Sequence, residues 1–100
     1  MIAKSLTTRA APLASERGWP AVWLTPLFEN EIVEALRARA APALFVGGTA
    51  DEAWDGVLAR GLSPDVLELE GADHGLASVE HAAQIGAAVA EFSGRLLGRA

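Results

Sequence analysis

Three side chains in this sequence have the types and the order that acyl transfer needs. His74 sits in Gly71-Ala72-Asp73-His74-Gly75-Leu76 and is one of only two histidines. An imidazole changes charge near neutral pH, so it is the side chain best suited to moving a proton. Asp51 comes earlier, after the apolar run Ala43–Gly48 and the short turn Thr49-Ala50. A carboxylate in that place can hold one imidazole nitrogen and stabilise the charge formed when the other takes a proton. Ser5, in Ala3-Lys4-Ser5-Leu6-Thr7-Thr8, lies upstream of both, in the Ser, Asp, His order of one type of hydrolytic triad.

These residues need a scaffold that brings them together. Short apolar runs bounded by Pro or Gly occur at 20–28 and 41–48, and an alternating run at 65–71. Near-continuous hydrophobicity in so few residues predicts strands buried on both faces. The intervening segments 6–17, 29–39, 51–62 and about 77–97 are rich in helix formers, and Ile32, Val33 and Leu36 fall on one helical face. Alternating strands and helices predict an α/β fold with a three-layer parallel sheet of about three strands flanked by helices. In such sheets active residues collect at the carboxyl ends of the strands, which is where Asp51 and His74 stand.

Each residue also has a structural reading. Ser5 can cap the helix it precedes, and Asp51 can cap Glu52–Gly56 without losing a second role. His74 can be a solvated loop residue, and His81, beside Glu80, reads as facing solvent. His74 and His81 lack the further ligands of a metal site. Gly47-Gly48 lacks the Gly-Lys-Ser/Thr of a phosphate loop. Trp19, Trp23 and Trp54 read as packing residues, and Trp54, three positions after Asp51, can also border an acyl pocket.

Composition narrows the classes. With 51% hydrophobic and 21% charged residues in a chain of 100, the sequence reads as one folded domain. A net charge of −5, with eight basic residues scattered singly, argues against nucleic acid as a partner. There is no cysteine, hence no disulfide or thiolate zinc site. Lys4, Arg9 and Glu16 interrupt the stretch a secretory signal would need, and no apolar run is long enough to span a bilayer. The expectation is a cytoplasmic protein.

Taken together, the elbow-like Lys4–Thr8, the strand Pro20–Phe28, the acid-bearing Pro42–Asp51 and Leu67–Leu76 with its closing helix resemble the C-terminal half of an α/β-hydrolase. The likeness is to the small esterase-like and dienelactone-hydrolase-like members. It implies Ser5 as nucleophile, Asp51 as orienting acid, His74 as base and the Leu6 amide as one oxyanion donor, with no cofactor or metal. The implied substrate is a small ester, lactone or thioester. Ala3 and Thr7 stand where the family's nucleophile elbow has glycine. The family's earlier strands, and the second oxyanion amide they carry, have no counterpart here, so weak or absent turnover is expected of the chain. With only three residues before Lys4, no strand is expected ahead of Ser5, which leaves 20–28 as an exposed sheet edge inviting self-association. The alternative is a non-catalytic α/β domain that works by self-association or docking to a partner.

Overall fold

A computed structural model of the chain describes residues 2–4, 12, 16–38, 42–75 and 79–98. Its elements are strands β1 (Ile2–Lys4), β2 (Ala21–Leu24), β3 (Ala43–Gly48) and β4 (Asp65–Leu69), and helices α1 (Asn30–Ala38), α2 (Gly56–Leu62) and α3 (Val79–Gly98). The strands form one parallel sheet in the order β1-β2-β3-β4. The α/β class follows from the sequence as expected, but the sheet has four strands where about three were expected.

The fourth strand is β1. Ile2, Ala3 and Lys4 pair in parallel with Val22, Trp23 and Leu24. Three residues carry too short a pattern to signal a strand, and β2 supplies the pairing that makes them one. It follows that β2 is an interior strand. The sheet's edges are β1 and β4, and Ile2 on β1 is 65% exposed.

Successive side chains of β2 and β3 point to opposite faces and fill two cores. Ala21, Trp23, Ala43 and Phe45 pack with Ile32 of α1, Ala59 of α2 and the flanking Phe28, Leu36 and Trp54. Val22, Leu44 and Val46 pack on the other face with Leu69, Ala72 and Phe92 of α3. Helix α3 reaches this face through Ile85, Val89, Phe92 and Leu96, which recur at three- and four-residue intervals. Helices thus cover both faces, which is what strands this apolar require. Phe45 and Val46 are fully buried, and each such side chain contributes about 1.5–3 kcal/mol of transfer free energy.

Local chemistry sets the ends of the elements. Helix α2 starts at Gly56 because the Asp55 carboxylate accepts from the Leu58 amide at 3.0 Å. The expected helix over 51–62 is therefore five residues shorter, and Asp51 is not its cap. At its other end Ser63 donates its hydroxyl to the Ala43 carbonyl at 2.6 Å and accepts the Asp65 amide at 3.1 Å, turning the chain into β4. Arg95 meets Asp65 at 2.7 Å and ties α3 to the start of that strand.

Strand β2 stops at Leu24, earlier than the apolar run to Phe28 predicts. Thr25 takes φ +44°, and Pro26 follows without an amide proton. A β-branched residue with positive φ is strained, at a cost on the order of 1–3 kcal/mol. Among the described residues, no helix is long and apolar enough to cross a membrane.

Candidate functional site

The loops that leave β3 and β4 are joined to each other before either side chain is considered. The Thr49 amide donates to the Leu69 carbonyl at 3.1 Å, and the Ala50 amide to the Ala72 carbonyl at 3.0 Å. The Thr49 hydroxyl accepts from the Gly71 amide at 2.7 Å. Gly71 makes this turn at φ +76°, a conformation that favours glycine. Gly48 lets the loops close up, since a Cβ there would overlap the carbonyl of Ala72. These contacts fix the spacing of the two loops to within the length of a hydrogen bond.

On that frame the Asp51 Oδ2 and His74 Nδ1 lie 2.7 Å apart. The aspartate side chain is 5% exposed and the histidine 43%, so the pair has a dry end and a wet end. The second carboxylate oxygen, Oδ1, accepts from the Ala53 amide at 2.9 Å, which fixes the plane of the group. An ionised carboxylate can only accept hydrogen bonds, so a neutral His74 in this contact carries its proton on Nδ1. Its Nε2 then presents a lone pair, as a general base requires. The next turn is shaped by Asp73, whose Oδ1 accepts from the Gly75 amide at 3.0 Å.

One contact ties this loop to the far side of the sheet. Lys4, the last residue of β1, donates from Nζ to the Gly75 carbonyl at 3.1 Å. Lys4 immediately precedes Ser5 in the chain. Of the residues singled out in the sequence, Asp51 and His74 are brought together; Ser5 and Leu6 lie outside the described residues. Sequence reasoning did not find Thr49, Gly48 or Lys4 as parts of this frame. The Gly47-Gly48 pair was a signal of close backbone approach, whereas nothing local marks Thr49 or Lys4.

Trp54 has a different place. Its ring rests on Gly47, where any Cβ would overlap it, and lies 6.0 Å from the ring of Phe28. Its indole N–H donates to Glu68 Oε1 at 2.8 Å, and Arg60 approaches Glu68 Oε2 at 3.5 Å. The hydrogen bond from Trp54 holds the Glu68 carboxyl below its ordinary pKa against the opposing effect of burial, and the Arg60 charge adds to the lowering. A groove of about 740 Å³ opens beside Trp54, Phe28, Val57 and Glu68, yet neither Asp51 nor His74 lines it. Thr49, Glu52 and Ala53, the near neighbours of Asp51 in the chain, do line it. Trp54 borders this groove, Trp23 is core, and Trp19 is 43% exposed with Arg17 over its ring. His81 is half-buried rather than fully solvated. Among the described residues no group of three or more His, Asp or Glu could hold a metal ion.

Comparison with protein-family models, curated proteins and solved structures returns no match for the chain. What it does must be read from its own geometry.

Proposed function

We propose that the chain is an α/β-hydrolase-like protein whose Ser5, Asp51 and His74 derive from a serine hydrolase of esters, lactones or thioesters, with weak turnover because the Leu6 amide is the one oxyanion donor assigned. The observation that carries this reading is the 2.7 Å contact between a buried carboxylate and a half-exposed imidazole at the carboxyl ends of adjacent parallel strands. Supporting it, the Lys4 side chain links the residue before Ser5 to the residue after His74.

In this reading Ser5 Oγ attacks the acyl carbonyl while His74 Nε2 takes its proton, and Asp51 stabilises the imidazolium that forms. The tetrahedral oxyanion is met by the Leu6 amide. Collapse breaks the bond to the leaving alcohol or thiol, which takes the proton from His74. Water then repeats the sequence on the acyl-Ser5 ester, returning the free serine and a carboxylic acid.

A fluorophosphonate probe tests this directly, because it reports an activated serine without requiring the right substrate. Labelling of the wild-type chain that is lost in Ser5→Ala and falls steeply in His74→Ala is the expected result. A chain that stays unlabelled while folded would overturn the hydrolase reading in favour of a non-catalytic α/β domain acting by association.

A further inference from the structure

The groove beside α2 has a volume of about 740 Å³, within the range of sites that take up small molecules. Its apolar wall is made by Trp54, Phe28 and Val57. The two aromatic rings are half-buried, with centroids 6.0 Å apart and planes tilted by 43°, so they form a corner rather than a stack. One face of the indole is seated on Gly47, and its N–H donates to Glu68 Oε1 at 2.8 Å. The ring is thereby fixed in place, and a carboxylate drawing on its N–H enriches its π-electrons. Val57 adds apolar surface at the rim, where it is 83% exposed.

The charges around this wall do not balance. Glu52, Asp55 and Glu68 line the groove together with one cation, Arg60, and Arg60 lies 3.5 Å from Glu68 Oε2. Glu52 and Asp55 form no ion pair among the described residues, so two of the three carboxylates are uncompensated. The net charge of −5 on the whole chain reinforces the local field, attracting cations and opposing anions. Fixed aromatic rings beside uncompensated carboxylates complement a cation that carries an apolar body. We infer that the groove is a binding site for a small organic ammonium ion, its charge among Glu52, Asp55 and Glu68 and its apolar part against Trp54, Phe28 and Val57. A bare metal ion would leave the aromatic corner unused, and an anion would meet two unpaired like charges with Arg60 already engaged. The inference stands apart from the hydrolase reading, since neither Asp51 nor His74 lines the groove.

Benzylammonium, benzyl alcohol and benzoate test it, because they share a ring and differ in charge. Each is titrated into the full chain, and the Trp54 indole N–H, identified by its loss in Trp54→Phe, is followed by ¹H–¹⁵N NMR. Benzylammonium should shift that signal to saturation, and benzyl alcohol and benzoate should bind at least about tenfold more weakly. Glu52→Gln and Asp55→Asn each remove one exposed charge, and asparagine keeps the oxygen that caps α2. Each should weaken benzylammonium by roughly two- to fivefold, and the double variant by about tenfold. Glu70→Gln, outside the groove, should leave binding unchanged. Raising the salt concentration on the unaltered chain should weaken benzylammonium and leave benzyl alcohol nearly unaffected, a readout that needs no variant to fold. Benzyl alcohol or benzoate binding as tightly as benzylammonium overturns the inference. So does a Trp54 signal that never saturates, or benzylammonium binding that is indifferent to salt and to the loss of both carboxylates.

Discussion

Replacing Asp51 by Asn keeps the shape of the buried side chain and changes only what its two terminal atoms can do. In the wild type Oδ1 accepts from the Ala53 amide at 2.9 Å and Oδ2 faces His74 Nδ1 at 2.7 Å. An amide has one acceptor. If its NH₂ faced the Ala53 amide, two buried donors would oppose each other at a cost of about 1–3 kcal/mol. The cheaper arrangement keeps the oxygen on Ala53 and points NH₂ at His74. The histidine then offers its lone pair at Nδ1 and carries its proton on Nε2, which turns the base into a donor. A wrong tautomer of this kind costs roughly 10⁴-fold in rate, or about 5.4 kcal/mol at 1.36 kcal/mol per tenfold. The effect on folding is far smaller. A charge-assisted bond, worth about 1.5–3 kcal/mol, becomes a neutral one of about 0.5–1.5 kcal/mol, and the exposed histidine end favours the low side of that difference. A loss of about 1 kcal/mol corresponds to about 4–8 °C in Tm for a domain of this size. The fluorophosphonate labelling rate, a thermal melt and the long-range ¹H–¹⁵N spectrum of the imidazole read the three quantities separately. An Asp51→Asn chain that keeps the Nδ1–H tautomer, or labels within tenfold of wild type, would refute the reasoning.

Other expectations follow from the same geometry. Gly48→Ala forces a methyl group against the Ala72 carbonyl, so urea denaturation should show a loss of about 1–3 kcal/mol, accompanied by a longer Asp51–His74 separation in a structure of the variant; unchanged stability would mean the loops are not zipped as described. Asp55→Ala removes the cap of α2 and should cost about 1 kcal/mol by the same measurement, with no effect on the His74 tautomer. For Glu68, whose folded carboxyl is held below its ordinary pKa by Trp54, the contribution to stability is present above the unfolded value and is lost as pH falls through the lowered folded one. The Tm difference between wild type and Glu68→Gln should therefore shrink on acidification through and below the ordinary carboxylate range, and a difference that grew instead would contradict the assigned cause.

The α/β class was legible because it is written in local pattern. Apolar runs too short for helices, bounded by Pro and Gly and separated by amphipathic segments, can be buried only as a covered parallel sheet. Asp51 and His74 were legible for a related reason: each follows a recognisable strand, and carboxyl-end loops of parallel strands are where side chains converge. The rest depended on contacts between residues distant in the chain. Ile2–Lys4 is a strand only because β2 lies beside it. The segment after Asp51 looks helical from residue 51, but Asp51 is turned toward His74 and Trp54 is seated on Gly47, so α2 waits for Asp55. Thr25 reads as one more residue of an apolar strand, and nothing local signals its positive φ or its orphaned hydroxyl. Sequence sets which groups are available and at what spacing along the chain; how closely β3 and β4 approach, and hence whether a carboxylate and an imidazole stand one hydrogen bond apart, is set by Gly48 against Ala72 and Thr49 against Gly71 in the folded protein.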